Sequence, residues 1–465
     1  MASRHSMTPA DYGDAIIHAV NESDGYELAE LFTMPLLGAA PGAFTATADV
    51  LIHLRDPKPY KIQLALRKCK GYLKAPWEEL ATNHLVAAQR LSLIDPDLLG
   101  RSRSKQSFGH NLRGFGADAI VDNEGRTVKE VLEEAWEGVN AVVVALLRFF
   151  SSQSPGRWCL PLMTTVLSSY RRLSVIVDRV TSTKTASSSS TSSPQPHLEE
   201  CARQLNKAFS VCVSDRTTEM EGSRKWGTYE IVGMVFRGYF KLKSLPLCRN
   251  ILRALTAADL PPLEAFPRAQ QVTFHYYVGV LAFLNEEYTK AETELSVAFD
   301  ACHASQRRNQ SLILKYLIPC RLLRGSLPSS RLLRPFPTLS ALYLPFIQSF
   351  RRGDVRSYDE ALSDPVKERA LVEAGTYLAI ERGREGCLRG LFRRVYQATD
   401  KQTRIPIDTF HRALRFVGVD VEREETEWFV AQQIAKGYMR GYISHERQMT
   451  VLSAQNAFPS LHTVA

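Results

Sequence analysis

Between Arg307 and Arg352 the chain has no aspartate or glutamate, although nine lysines and arginines fall in that stretch. This block alone carries a charge equal to that of the whole 465-residue chain, +9 from 58 Lys and Arg against 49 Asp and Glu. A run without acids implies an acidic partner, nucleic acid or an acidic peptide, or else a solvated face balanced by acids elsewhere. Cysteine is also sparse. There are eight, at positions 69, 159, 201, 212, 248, 302, 320 and 387, with no Cys-x-x-Cys pair. That spacing excludes a disulfide scaffold, a zinc ribbon and a thioredoxin-type site, and reduced thiols inside the cell are the simple reading. Long apolar runs are missing too: Leu31–Ala48 is broken by Pro35 and Pro41, and Val139–Phe150 is short and contains Arg148, so no membrane span is read. The first residues hold no basic segment leading into an apolar one, so no secretory signal is read either.

Reaction motifs are absent in the same way. No phosphate-cradling G-x-x-x-x-G-K-[ST] and no G-x-S-x-G elbow occurs. Gly114, Gly116 and Ala119 form a loose G-x-G-x-x-A, but a polar Arg/Ser-rich stretch precedes it where a buried strand would be needed. His445-Glu446 begins an H-E-x-x-H whose second histidine is replaced by Met449. Cys302 and His303 are adjacent, and adjacent side chains on a helix diverge. The eleven histidines nowhere cluster at ligand spacing. The expectation is a chain that is not an enzyme and takes no cofactor and no metal.

What is present is the composition of a globular protein, 45% hydrophobic and 23% charged, patterned mostly as amphipathic helix. Phe274, Tyr277, Leu281 and Leu284 mark one such face, and Leu312, Tyr316, Ile318 and Leu322 another. An internal echo runs through it. From Phe240, apolar or small residues stand at +5, +8 and +12 (Leu245, Cys248, Leu252). From Phe283 they are Tyr288, Ala291 and Leu295, and from Phe350 they are Val355, Tyr358 and Leu362. A short polar turn follows each anchor, which is the pattern of helical hairpins stacked on their neighbours, with Tyr276–Ala298 similar to a tetratricopeptide hairpin.

The predicted fold is mostly α, an irregular solenoid of stacked helical hairpins ending in a C-terminal winged helix. Residues 405–416 and 424–438 read as two helices and 439–453 as a β-hairpin, preceded by a basic helix over 384–398. In the tract 181–196, eleven of sixteen residues are Ser or Thr, which reads as a flexible insertion; a second loop is read over 101–118. The expected divisions are 1–180 (helical), 181–196 (insertion), 197–380 (hairpin repeats) and 381–465 (winged-helix module).

The last module is basic. From 384 to 415, Arg384, Arg389, Arg393, Arg394, Lys401, Arg404, Arg412 and Arg415 meet only Glu385, Asp400 and Asp408, and Lys436, Arg440 and Arg447 extend the series. Arg389, Arg393, Arg394, Lys401, Arg404, Arg412, Arg415, Lys436, Arg440 and Arg447 are the candidate nucleic-acid contacts, with Arg393, Arg394, Lys401 and Arg404 expected to carry most of the binding. Tyr438 and Tyr442 are read as packing residues more than base-stacking ones. Arg307, Arg308, Lys315, Arg321, Arg324, Arg331 and Arg334 are assigned to an acidic partner, with Leu312, Leu317, Leu322 and Leu323 as core.

Helical hairpins running into a winged helix resemble the PCI domains. More narrowly, LKYLIPCRLLRGSLPS (314–329), GDVRSYDEAL (353–362) and the C-terminal module are similar to the COP9 signalosome subunit-twelve-like branch and its mRNA-export counterparts. The resemblance covers about residues 200–460. It implies a non-catalytic subunit of a nuclear, pore-associated transcription-and-export complex, with the cytoplasm left open as a second location. The implied partners are a large mRNA-export scaffold, a small acidic peptide shared with the proteasome, and RNA or DNA, in a hetero-oligomer with no membrane. The other reading left open is a signalosome- or proteasome-lid-like assembly subunit with no nucleic-acid role. An isopeptidase would need a His-x-His motif, which is lacking.

Overall fold

The computed structural model describes residues 7–34, 46–54, 58–71, 73–94, 125–181, 195–217 and 219–464. The 101–118 loop, the G-x-G-x-x-A and residues 182–194 of the Ser/Thr tract lie outside them. Among the described residues no helix is long and apolar enough to cross a membrane. The chain divides into two compact units, Met1–Phe266 and Pro267–Ala465.

The helices of the first unit are α1 (Pro9–Asn21), α2 (Gly25–Leu31), α3 (Ala46–His53), α4 (Pro59–Leu66), α5 (Trp77–Ser92), α6 (Val128–Ser152), α7 (Leu160–Thr181), α8 (Pro196–Val213), α9 (Thr228–Lys241) and α10 (Leu245–Ala257). From α5 onward each packs on the next, as hairpins with one apolar face apiece must. Thr127 and Glu130 close α6 with a reciprocal capping box, which satisfies backbone donors at its start. Where α8 ends, the buried Arg224 joins Asp215 (Nη2 to Oδ1, 3.1 Å) and donates from Nη1 to the Phe150 carbonyl (2.7 Å), so a charged pair fastens the end of α6. His84 of α5 is wholly buried, with Nε2 3.2 Å from the Thr47 hydroxyl and its ring 5.0 Å from that of Phe32.

The second unit contains α11 (Arg268–Leu284), α12 (Tyr288–Ala301), α13 (Arg307–Leu323), α14 (Ser330–Leu333), α15 (Pro337–Arg352), α16 (Val355–Leu362), α17 (Pro365–Ala374), α18 (Tyr377–Ala398), α19 (Ile407–Phe416) and α20 (Arg423–Ala435). Three short strands, β1 (Arg404–Pro406), β2 (Gly441–Ser444) and β3 (Met449–Leu452), form an antiparallel sheet in the order β1-β3-β2. The fold is thus mostly helical with a winged-helix end. Helix α18 packs on α13, α15, α16, α17 and α19. It can approach so closely because two glycines face inward: a Cβ on Gly383 would lie 2.4 Å from Leu322 Cδ2, and one on Gly386 2.5 Å from Phe350 Cε2.

The echo read from the sequence has a backbone counterpart. In all three copies the +5 residue (Leu245, Tyr288, Val355) opens the second helix. The +3 residue (Lys243, Glu286, Gly353) is left-handed, at φ 57°, 65° and 67°. The +4 amide (Ser244, Glu287, Asp354) donates to the carbonyl just before the anchor (Tyr239, Ala282, Ser349) at 2.9, 2.9 and 3.0 Å. This six-to-one bond caps the first helix and turns the chain in the manner of a Schellman motif. The +8 side chains Cys248, Ala291 and Tyr358 are all fully buried.

Three expectations need correction. Ile405 and Pro406 are not the first turn of a helix but part of β1, and Pro406 precedes α19 as its N-cap. A three-residue strand is too short to show alternation, and proline tolerates an edge position because it has no ladder donor to lose. The basic helix starts at Tyr377, seven residues before Arg384. Leu312, assigned to the core, is exposed, whereas Leu317, Leu322 and Leu323 are buried.

Gly353→Ala is expected to cost at least about 1–2 kcal/mol from the left-handed backbone alone, with added strain because the new Cβ would meet the Leu391 nitrogen at 2.8 Å. Lys243→Gly at the matching position should cost nothing or stabilise slightly, and thermal unfolding of the pair checks the difference. Burial lowers the His84 pKa from 6.5 to about 3, so the unfolded chain takes up a proton that the folded one refuses. Stability from this site is complete above pH 6.5 and falls as pH drops. The loss between pH 7 and pH 5 should be about 2 kcal/mol, read as a shift in urea midpoint that His84→Met lacks.

Candidate nucleic-acid interface

Strand register sets the geometry of the basic module. On β3, Val451 pairs with Arg404 and Leu452 with Gly441, whereas Met449 pairs with Pro406 and Ser444. The sheet therefore has a strand-start end, holding Arg404, Arg440 and the chain beyond Leu452, and a wing-tip end at residues 445–448. The two are separated by about 13 Å at ~3.3 Å per residue. Lys401 belongs to the first end, its amide bonded to the Tyr396 carbonyl at the close of α18 (2.9 Å). Arg447 belongs to the second.

After β3 the chain turns back. Ser453 N donates to the Arg440 carbonyl (2.8 Å) and Arg440 N to that of Ala457 (2.9 Å). The Phe458 ring lies 5.5 Å from that of Tyr396, Leu461 closes over Gly325, and His462 bonds the Ser326 hydroxyl at 3.0 Å. Arg389 anchors this return. It is only 7% exposed, and its Nη2 donates to the carbonyls of Phe458 (3.2 Å) and Pro459. Burial lowers its pKa from the usual arginine range, and the charge of Arg393 acts in the same direction. Arg389 is therefore removed from the candidate contact surface: its charge serves the fold.

The other candidates divide by their partners. Arg412 pairs with Asp408 (2.6 Å) and Lys436 with Glu385 (2.9 Å). Arg394 is exposed and donates to the Arg351 carbonyl (2.7 Å). Arg393, Lys401, Arg404, Arg415, Arg440 and Arg447 are exposed and take no ion pair among the described residues. Tyr438 is half-buried, while Tyr442 is 63% exposed on β2.

The acid-free block separates in the same way. Arg324 and Arg321 both reach Glu292 of α12, at 2.9 and 3.8 Å, and Arg321 also bonds Ser296 (3.1 Å). The missing acid is thus supplied by the preceding helix, and these two arginines are fold residues. Lys315 lies 5.0 Å from the Tyr316 ring, and burial lowers its pKa. Arg307, Arg308, Arg331 and Arg334 are exposed. Arg307 and Arg331 border a surface groove floored by Phe299, Leu332 and Phe336.

Phe416, 91% exposed, and Trp428, 57% exposed, are surface residues that charge counting passed over. Cys302 is buried just past α12, and the exposed His303 sits 2.7 Å from the Ser305 hydroxyl. All eight cysteines are free, and burial pushes Cys159, Cys201, Cys212 and Cys387 up to about 12. Among the described residues no group of three or more His, Cys, Asp or Glu is placed to hold a metal ion.

Helical hairpins closed by a winged helix define a scaffold type of architecture, and residues 355–454 match the PCI domain. Over 99% of both chains the sequence is 47% identical to a protein named CSN12 homolog from Mycosarcoma maydis. It is 33% identical to PCI domain-containing protein 2 of Xenopus laevis, over 98% of this chain and 99% of that one. A Drosophila melanogaster PCI domain-containing protein 2 homolog matches at 33% over 98% and 99%. The chain belongs to the PCI-domain family that contains these CSN12 homologues and PCI domain-containing proteins 2.

Arg389→Ala should leave the buried Pro459 carbonyl and the part-buried Phe458 carbonyl without this donor, at about 1–3 kcal/mol. The expected signature is a lower melting temperature together with faster proteolytic trimming of the residues after Ser453, followed by mass spectrometry.

Proposed function

We infer that this chain is a non-catalytic scaffold subunit of a nuclear complex that couples transcription to mRNA export, with its winged helix contacting RNA or DNA. The observation that carries this reading is the group of exposed cations without ion pairs at the strand-start end of the winged helix, Arg393, Lys401, Arg404 and Arg440, in a chain otherwise built from stacked hairpins. Such cations attract phosphate without reading sequence. A hairpin array offers long surfaces to partners. The exposed Arg307, Arg308, Arg331 and Arg334 beside an apolar groove suit an acidic peptide with hydrophobic anchors. The large partner in this reading is an mRNA-export scaffold, the small one an acidic peptide shared with the proteasome, and the location the nucleus near its pores.

A second reading, a signalosome- or lid-like assembly subunit, draws on the exposed Phe416 and Trp428, which suit protein docking better than phosphate. Affinity purification of the tagged chain from native nuclear extract at moderate salt, with mass-spectrometric identification of stoichiometric partners, separates the two. A large export scaffold with a small acidic peptide is the expected recovery. Signalosome or lid subunits alone would overturn the export reading.

A further inference from the structure

In helix-turn-helix pairs the second helix enters the major groove, its N-terminal residues meeting the bases. Here that helix is α20, and its first five residues include Glu424, Glu425 and Glu427, with Asp420 and Glu422 just before them. From Ile407 to Ala435 the helix pair carries six acids, Asp408, Asp420, Glu422, Glu424, Glu425 and Glu427, against Arg412, Arg415 and Arg423. Arg412 and Arg423 are both spent on Asp408, at 2.6 and 3.1 Å. At the wing tip His445 Nδ1 bonds Glu427 (2.7 Å), Gln448 donates to the same carboxylate (3.3 Å), and Glu446 stands beside Arg447. A phosphate backbone approaching the helix pair would meet net negative charge, and at the wing tip Glu446 offsets Arg447.

The strand-start end is the reverse. From Arg389 to Arg404 the single acid is Asp400, and residues 438–444 and 450–464 contain none. Arg404 and the residue following Arg440 lie on opposite sides of β3, about 10 Å apart at ~4.8 Å per strand. Lys401 leads into β1. Arg393 stands one turn beyond Arg389, whose hold on Phe458 brings the acid-free return alongside it. We propose that nucleic acid is held at this end by Arg393, Lys401, Arg404 and Arg440, through phosphates alone, with α20 and the wing tip turned away from it. The proposal rests on the nucleic-acid reading above and assigns its face and mode. Binding is then indifferent to base sequence and needs no groove, so single-stranded RNA and duplex DNA are both ligands.

The test is fluorescence anisotropy of the full chain with mixed-sequence single-stranded RNA and duplex DNA over a salt series. One variant carries R393E, K401E, R404E and R440E, the other R415E and R447E, and circular dichroism checks both. The first should weaken duplex binding at least about 10-fold and flatten the log–log salt slope by about 3–4 units; the second should change affinity less than about 2-fold. If the glutamates impair folding, the corresponding Gln variant should still flatten the slope by about 3 units. Loss concentrated in the R415E/R447E variant would overturn the assigned face while leaving the nucleic-acid reading intact. An unaltered chain without salt-dependent binding would overturn both.

Discussion

The closeness of α18 to its neighbours governs the second unit. Gly383 and Gly386 remove the side chains that would hold it away from Leu322 and Phe350, and the space is filled from the other side by Tyr358, whose hydroxyl donates to the Ile380 carbonyl at 2.5 Å. Arg384 then reaches Asp359 on α16 with two bonds, 2.7 and 2.9 Å. With the helix seated, its C-terminal half can carry cations outward while Phe392 packs on Phe410 of α19 at 5.0 Å between ring centres. The hairpin array and the winged helix of this unit are thus two sides of one helix, and the charge displayed at its end depends on glycine contacts buried in the middle.

The two stretches that carry the family resemblance have plain physical roles. In 314–329, Leu314, Leu317, Ile318, Leu322 and Leu323 fill the core, Gly325 turns the chain just past α13 at φ 76° and receives Leu461, and Ser326 takes His462. In 353–362, Gly353 makes the left-handed turn, Asp354 caps α16 by accepting the Ser357 amide at 3.0 Å, and Tyr358 and Asp359 bind α18. Both stretches are therefore places where distant parts of the chain meet, which is why so many of their positions are constrained at once.

Much of the architecture was legible because the hairpins repeat a backbone event with fixed offsets. Phe240, Phe283 and Phe350 reveal their turns through spacing alone, even though lysine, glutamate and glycine occupy the left-handed position. The strand β1 was not legible, since Ile405 and Pro406 offer no period of two. Charge was legible as composition but not as availability. Arg321 and Arg324 share the carboxylate of Glu292, some thirty residues earlier in the chain, and Arg389 is hydrogen-bonded to carbonyls seventy residues later; neither partner leaves a local trace. The division of the remaining cations between two ends of a small sheet follows from register, which only the pairing of β3 with both neighbours defines.

The Arg389 anchor recognises main chain. Its guanidinium holds the carbonyl oxygens of Phe458 and Pro459, atoms that every amino acid supplies in the same place. A lock of this kind measures path length: it tolerates a change of side chain along the return segment more readily than the gain or loss of a residue between Leu452 and Pro459, which would carry the wrong carbonyl past the arginine. Evolution of that segment should then be free in spelling and strict in count.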